Sequence, residues 1–124
     1  MELTKNEIEI MEVLWREQRP LTRTEIVNLS VDKSWKESSI HILLNSLLKK
    51  NAIREAGYVR TGKGFGRTFE PTKTGESFYA DVLAKIVRKT NVSMLFSKLV
   101  ESEDITEETI EELEELLKER KRNN

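Results

Sequence analysis

Apolar residues recur at helical spacing three times in the first fifty residues. The first run ends before Pro20, because proline excludes the helical region for the residue that precedes it. The second run is short, from Thr24 to about Ser30, and the third extends from Trp35 to about Lys50. Each run places its apolar side chains on one face, and these are Ile8, Met11, Leu14 and Trp15, then Ile26, Val27 and Leu29, then Ile40, Leu43, Leu44 and Leu47. The pattern predicts three amphipathic helices with short connections.

Three hydroxyl residues mark where these helices begin. Thr4, Thr22 and Ser34 are each followed three residues later by glutamate. In such a capping box the hydroxyl accepts a hydrogen bond from a free amide of the first turn, and the glutamate accepts one from the capping residue's own amide. We therefore expect a helix to start next to each of the three.

The periodicity changes after the third helix. Residues 52–60 and 67–71 alternate in polarity around Tyr58 and Phe69, which is typical of half-buried strands. Between them lie Gly62, Gly64 and Gly66, which can supply the positive φ angles that a turn requires. The pattern predicts a β-hairpin, and three helices followed by a hairpin is the order of a winged helix-turn-helix. The expected fold class is mostly α with a small β-hairpin.

Helical patterns return at about Lys73 and continue to the end of the chain. Thr106 is the expected N-cap of the last helix, with acidic residues in the first turn and basic residues in the last, as the helix dipole favours. Three short amphipathic helices bury only a modest fraction of their own surface, so a second copy of the chain is the natural partner. The expected dimerisation residues are Phe78, Val82, Ile86, Val92, Leu95, Phe96, Leu99, Ile110, Leu113 and Leu117.

Charge is distributed unevenly along the chain. Residues 1–30 carry 4 basic and 6 acidic side chains, residues 31–90 carry 12 and 6, and residues 91–124 carry 5 and 10. The net charge of -1 therefore hides a basic middle next to an acidic C-terminal segment. A basic segment suits contact with nucleic-acid phosphates, because neutralising them releases condensed counterions. The alternative is a mixed, solvated protein surface.

The composition excludes several classes of protein. The 124 residues include no cysteine, which removes disulfides, thiol redox chemistry and thiolate metal sites. No apolar stretch is long enough to span a membrane, and the first ten residues are too acidic and interrupted for a signal peptide. We therefore expect a cytoplasmic protein without a membrane partner.

The third helix and the hairpin hold the candidate DNA contacts. In a helix-turn-helix the last helix lies in the major groove, with one face packed on its own domain and the other facing base edges and phosphates. Asparagine pairs with adenine, serine bonds to bases or phosphates, isoleucine contacts a thymine methyl, and lysine adds affinity. The basic hairpin would reach the backbone or minor groove. The expected DNA-binding residues are Lys36, Ser38, Ser39, His41, Ile42, Asn45, Lys49, Lys50, Arg60, Lys63 and Arg67.

Each of these elements has a plainer interpretation. The polar face of the third helix could be an ordinary solvated face, and the hairpin could be a charged turn. The combination favours DNA contact, and it divides the chain into a winged helix-turn-helix DNA-binding domain at residues 1–72 and a helical dimerisation domain at residues 73–124.

Other chemistry finds little support in the residues. His41 is the only histidine, which excludes a histidine-rich metal site within one chain, and we expect no metal and no cofactor. The glycines at 62, 64 and 66 lack the helix or the Lys-Ser/Thr pair that follows a phosphate-binding loop. Trp15 and Trp35 fit core positions better than base stacking. No set of residues suits catalysis, so we expect no enzyme and no catalytic residue.

Several segments together resemble the penicillinase repressor (BlaI/MecI/CopY) family of bacterial transcriptional repressors. The resemblance spans nearly the whole chain, and residues 99–106 carry its most specific part. The matching segments are Glu12-Val13-Leu14-Trp15, Trp35 with Ile40, Leu47-Leu48-Lys49-Lys50, Phe69-Glu70-Pro71, Val92-Ser93 with Leu95, and Leu99-Val100-Glu101-Ser102-Glu103-Asp104-Ile105-Thr106.

The resemblance implies a homodimer whose C-terminal helices interlock while two winged domains bind an inverted-repeat operator of double-stranded DNA. It also implies differences from better-known members. The base-contacting positions fall on Ser38, Ser39, His41 and Ile42 in place of Lys and Arg among Thr residues, so the operator sequence is expected to differ. The cysteines of the copper-responsive branch are absent. An antirepressor protease is a candidate partner, but the position of the cleaved Asn-Phe bond holds Lys98-Leu99.

A second function class fits the same pattern. A winged helix that binds a protein partner through the acidic arm would share the fold without specific DNA binding. Salt separates the two, because specific binding to DNA weakens steeply as the salt concentration rises.

Overall fold

The structure is a computed structural model that describes residues 2–62 and 64–123. It contains a helical N-terminal part, a small sheet and a helical C-terminal part. In chain order the elements are helix α1 (Lys5–Glu17), strand β1 (Leu21–Thr22), helix α2 (Arg23–Leu29), a 3-10 turn (Glu37–Ser39), helix α3 (Ile40–Lys49), strands β2 (Ile53–Thr61) and β3 (Gly64–Pro71), and helices α4 (Gly75–Lys89), α5 (Val92–Glu101) and α6 (Glu107–Arg122). The predicted winged helix-turn-helix is confirmed.

Two of the three predicted capping boxes are confirmed. The Thr4 hydroxyl accepts from the Glu7 amide at 3.2 Å, and the Thr4 amide donates to the Glu7 carboxylate at 2.8 Å. Thr22 and Glu25 form the same reciprocal pair, at 3.2 and 3.0 Å. Both boxes satisfy amides that have no partner within the helix, and they fix where α1 and α2 begin.

The third predicted capping box, at Ser34, is wrong. The Ser34 amide donates instead to the Glu9 carboxylate of α1 at 2.9 Å. The chain before it turns at Asp32, whose φ is 53°, and continues through the 3-10 turn, so that α3 begins only at Ile40. Helix α3 is therefore five residues shorter at its start than the periodicity predicts.

The hairpin is confirmed, and it is part of a three-stranded antiparallel sheet in the order β1-β3-β2. Strand β1 was not predicted, and it pairs Leu21 with Phe69 of β3. The register shifts between Glu55 and Gly57, which forms a bulge where Gly57 has a φ of 123°. That angle favours glycine, because any Cβ would be strained there.

Two expectations about the hairpin are wrong. Tyr58 is exposed, because β2 beyond Ile53 projects away from the core as one arm of the hairpin. Positive φ does not explain Gly62, Gly64 and Gly66, since Gly57 is the glycine with that geometry in the described chain. Gly66 instead allows close packing, because a Cβ there would lie 3.1 Å from the Thr61 methyl group.

The core lies where α1, α2 and α3 pack on the sheet. Its buried apolar side chains come from every one of these elements. They are Ile10, Met11, Val13, Leu14, Leu21, Ile26, Trp35, Ile40, Leu44, Leu47, Ala52, Ile53 and Phe69. Both tryptophans belong to this part of the fold as predicted: Trp35 is buried, and Trp15 packs edge-on against Phe78 with ring centroids 5.5 Å apart.

The chain divides into two compact units, Met1–Ala80 and Asp81–Asn124, and the division falls within α4. In the second unit, Thr106 caps α6 as predicted, with its hydroxyl accepting from the Thr109 amide at 3.2 Å. None of its described residues, 81–123, is buried. Among the residues of the whole chain that the structure describes, no helix is long and apolar enough to cross a membrane.

Candidate nucleic-acid interface

Helix α3 separates packing residues from exposed residues along its length. Ile40, Leu44 and Leu47 are buried in the core, and Leu43 is half-buried. His41, Ile42 and Asn45 face outward, and Ile42 is 72 % exposed although its side chain is apolar. Most of the Ile42 side chain is open to solvent, so the outer face of α3 presents both polar and apolar groups.

The predicted DNA contacts that flank α3 differ in their exposure and in whether their charge is already paired. Lys36, Ser38 and Lys49 are exposed, and Ser39 is half-buried. Lys50 is half-buried, and its ammonium group lies 2.7 Å from the carboxylate of Glu7. The Lys50 charge is thus already matched by a buried partner, unlike that of Lys36 or Lys49.

Glu7 joins the start of α1 to the end of α3. Its buried carboxylate accepts hydrogen bonds from the Thr4 amide, the Ser46 hydroxyl at 2.6 Å and the Lys50 ammonium. Burial alone raises the pKa of Glu7, but the hydrogen bonds from Lys50, Ser46 and Thr4 outweigh it and lower that pKa to about 2. Glu7 is therefore ionised at neutral pH and holds the C-terminal end of α3 in place.

The basic side chains of the hairpin differ in whether they form an ion pair. Arg60 is exposed on β2. Arg67 on β3 forms an ion pair with Glu55 and lies over the Phe69 ring, 5.2 Å from its centroid. Lys63, the third predicted hairpin contact, lies outside the described residues. Within the described part of the hairpin, Arg60 is the basic predicted contact whose charge is not paired.

An open cleft of about 350 Å³ lies between α2, α3 and the hairpin. It brings together His41 and Asn45 from α3 and Arg67 from β3, all of which were predicted, with groups that were not. The unpredicted groups are Arg23 and Thr24 from the first turn of α2 and Phe65 from β3, which is 72 % exposed. We call this surface the α3–hairpin cleft. Three predicted DNA contacts line it, while the other described ones lie outside it, and these are Lys36, Ser38, Ser39, Ile42, Lys49, Lys50 and Arg60.

A signal for Arg23 was present in the sequence. The capping box at Thr22 fixes Arg23 as the first residue of α2, and a helix-turn-helix places the first helix across the DNA backbone. Phe65 gave no comparable signal, because its exposure depends on how far the hairpin extends from the core.

Arg23 and His41 are in direct contact across the cleft. A guanidinium nitrogen, Nη1 of Arg23, forms a short hydrogen bond with Nε2 of the His41 ring. This contact ties the first turn of α2 to the outer face of α3.

The predicted dimerisation residues divide between the two units. Phe78 is buried within Met1–Ala80. Leu95 and Ile110 are half-buried. The remaining seven are exposed in the second unit, and they are Val82, Ile86, Val92, Phe96, Leu99, Leu113 and Leu117.

The described residues hold no arrangement suited to metal binding. Residues 2–62 and 64–123 contain no group of three or more histidine, aspartate, glutamate or cysteine side chains that could hold a metal ion. The lining of the α3–hairpin cleft itself supplies hydrogen-bonding groups from Arg23, His41 and Asn45 and the apolar ring of Phe65.

The model of the penicillinase repressor family matches residues 3–119, nearly the whole chain. The chain belongs to the penicillinase repressor family. This confirms the resemblance found in the sequence, and it makes the chain a DNA-binding transcriptional regulator of a family that consists of regulators, not enzymes. A comparison with curated protein sequences gives no significant match.

Solved structures add evidence on the fold of this family member. A PadR family transcription regulator from hypervirulent Clostridium difficile R20291 superposes with a TM-score of 0.50 at 19% identity, over 74% of this chain and 99% of that one. The transcriptional regulator PA4135 gives 0.49 at 18% identity, over 98% and 79%. The adhesin competence repressor (AdcR) from Streptococcus pyogenes gives 0.46 at 15% identity, over 98% and 80%. At these identities the first likeness supports the winged-helix fold alone.

Proposed function

We propose that this chain is a cytoplasmic, homodimeric transcriptional repressor that binds an inverted-repeat operator in double-stranded DNA. Residues 1–72 are the proposed DNA-binding domain and residues 73–124 the proposed dimerisation domain. The observation that carries the proposal is the α3–hairpin cleft, where exposed polar and basic side chains of three elements converge. The family assignment supports DNA binding, and the cleft supplies its geometry.

In this proposal the outer face of α3 enters the major groove. Asn45 pairs with a base edge, Ile42 contacts a thymine methyl group, and Ser38 bonds to a base or phosphate. Lys36, Lys49 and Arg60 neutralise phosphates and so add affinity without sequence preference. The proposed contact set is completed by Ser39, His41, Lys63 and Arg67. Lys50 has a structural role instead, because its ion pair with Glu7 holds the end of α3.

The exposed apolar residues of the second unit support a homodimer. None of its described residues is buried, and its helices expose large apolar side chains that water disfavours. A second copy of the same surface would cover them. Because Phe78 is buried in the first unit, the proposed dimer surface begins at Val82 and continues to Leu117.

An antirepressor protease is a candidate partner only through the resemblance to relatives that are cleaved. The Lys98–Leu99 bond, at the position where relatives are cleaved, lies inside α5. A protease binds its substrate in an extended form, so cleavage there requires α5 to unwind. We propose that operator release proceeds without this cleavage. Mass spectrometry of the chain recovered from induced cells tests the proposal, and a fragment ending at Lys98 would contradict it.

The experiment for DNA binding is a fluorescence anisotropy titration of the dimer against the inverted repeat upstream of its own gene. We expect tight binding that weakens steeply as salt rises, and Asn45→Ala should lower it while leaving the affinity for scrambled DNA unchanged. Lys36→Ala is the matched control and should weaken binding to both DNAs. Equal affinity for the repeat and for scrambled DNA, together with silent Ser38, Ser39, His41 and Asn45 variants, would refute sequence-specific binding.

A further inference from the structure

The contact between Arg23 and His41 constrains the chemistry of the histidine. A guanidinium group carries five N–H donors and no acceptor, and it stays protonated in proteins. The hydrogen bond between Arg23 Nη1 and His41 Nε2 therefore requires a lone pair on Nε2. A neutral histidine whose Nε2 is an acceptor carries its hydrogen on Nδ1.

We propose that Arg23 is a positioning residue that fixes His41 in the Nδ1–H tautomer, so that His41 presents a hydrogen-bond donor to DNA. This inference rests on the proposed DNA-binding function of α3. Free histidine favours the other tautomer, with the hydrogen on Nε2, so Arg23 would hold His41 in a form that the isolated side chain disfavours. Among the described residues, His41 has no other hydrogen-bond partner, which leaves Nδ1–H for DNA.

The tautomer decides which bases His41 accepts. In the major groove, guanine presents the acceptors N7 and O6, while cytosine presents a donor amino group. A histidine that donates from Nδ1 can pair with guanine N7 or O6, with adenine N7 or with thymine O4, and it leaves the cytosine amino group unpaired. Arg23 would thus influence sequence choice at one base pair through His41, besides any phosphate that it neutralises itself.

The location of Arg23 makes this arrangement stable within the fold. Arg23 is the first residue of α2, directly after the Thr22 cap, and His41 is the second residue of α3. Both helices are held by the core through Ile26, Ile40 and Leu44, so the two side chains meet across a rigid backbone frame. The pair lines the α3–hairpin cleft on its α2 side.

The chain offers an unusually clean test, because His41 is its only histidine. Nitrogen-15 NMR of the free full-length protein at alkaline pH gives a single pair of imidazole ring signals, which need no residue assignment. We expect the wild type to show Nδ1 protonated and Nε2 unprotonated, and Arg23→Ala to shift the ring toward the Nε2–H form. Arg23→Lys, which keeps a donor, should retain much of the wild-type pattern, and Arg60→Ala is the control that should leave it unchanged.

Two results would overturn the proposal. One is a wild-type ring protonated mainly on Nε2, and the other is an Arg23→Ala spectrum identical to that of the wild type. Both measurements use the protein without DNA, so their outcome is independent of whether the proposed operator binding is correct.

The second arm of the test uses DNA. Across operators varied at each base pair, Arg23→Ala should reduce discrimination against cytosine about fivefold at the one position that His41→Ala also affects. Arg60→Ala should lower affinity for all variants to the same extent. If Arg23→Ala behaves like Arg60→Ala, then Arg23 is only a phosphate contact and the positioning role is wrong.

Discussion

The two units of the chain use similar amphipathic helices with opposite results. In Met1–Ala80, the apolar face of α1 is buried, and Ile10 and Leu14 have no exposed surface. In Asp81–Asn124, helices α5 and α6 have equally regular apolar faces, yet no described residue there is buried. Helical periodicity therefore identifies an apolar face but not what covers it. The cover comes from the sheet and neighbouring helices in the first unit, and we propose that it comes from a second chain in the other.

The largest expected effect comes from opening the core of the first unit. Leu14→Ala should lower the free energy of unfolding by about 3 kcal/mol, because it removes buried methyl groups and leaves a cavity. The measurement is urea denaturation followed by tryptophan fluorescence, since both tryptophans, Trp15 and Trp35, lie in this unit. Val31→Ala is the control in the same unit, because Val31 is 81% exposed and its truncation should cost less than about 0.5 kcal/mol. Equal losses from both substitutions would show that burial of the apolar face of α1 does not stabilise the first unit.

The next effect concerns the buried carboxylate of the first unit. Glu7→Gln should lower the free energy of unfolding by about 2 kcal/mol at neutral pH, because the Lys50 ammonium loses its buried partner. The pKa of Glu7 is lowered from 4.5 to about 2 in the folded chain, so its contribution is complete above 4.5 and is lost as the pH falls toward 2. The difference between variant and wild type should therefore narrow over that interval.

The check is urea denaturation repeated at several pH values from neutral to acidic. Glu2→Gln, an exposed change near the same end of the chain, is the control and should leave stability unchanged. A Glu7→Gln variant that matches the wild type at neutral pH would show that the carboxylate does not stabilise α3.

A charged substitution in the second unit tests whether a second chain covers its apolar surface. Phe96→Glu should convert the proposed dimer into monomers and lower operator affinity about a hundredfold, because two half-sites held on one dimer gain effective concentration. Analytical ultracentrifugation gives the oligomeric state, and anisotropy gives the affinity. Val31→Glu adds the same charge at an exposed apolar position of the first unit and should leave the dimer intact. Persistence of the Phe96→Glu dimer would refute the proposed surface.

The smallest expected effect tests whether the lining of the α3–hairpin cleft contributes to operator affinity. Phe65→Ala should lower operator affinity about fivefold with little change in stability, because the ring is 72% exposed and lies on the cleft beside α3, outside the hydrophobic core. Tyr58→Ala is the matched control, since Tyr58 is also an exposed aromatic residue of the hairpin but does not line the cleft. If the two substitutions weaken DNA binding equally, the cleft has no special role.

Local signals in the sequence were sufficient for most of the fold. The caps at Thr4, Thr22 and Thr106 act within one turn, so their residues alone predict them, and the order of helices and hairpin followed. Ser34 has the same local pattern, but its amide bonds to Glu9, 25 residues away, and no local pattern reports such a contact. Strand β1 was missed because two residues are too short to show a period.

Part of the candidate site could likewise be predicted from local sequence patterns. The outer face of α3 follows from helical spacing once Ile40, Leu44 and Leu47 are placed inside. The partners of that face come from other elements: Arg23 meets His41 across 18 positions of sequence, and Lys50 meets Glu7 across 43. Only the folded arrangement distinguishes a paired lysine such as Lys50 from an exposed one such as Lys49.

Because buried and outward-facing residues alternate along α3, its outward-facing residues can be substituted separately from the core. Ile42 and Asn45 can be exchanged for other side chains without disturbing Leu44 or Leu47, since substitutions at exposed positions cost little stability. Duplicated genes could therefore acquire new target sequences while keeping one scaffold. A library randomised at these outer positions would yield folded variants at high frequency, which makes this small protein a practical starting point for regulators of chosen promoters.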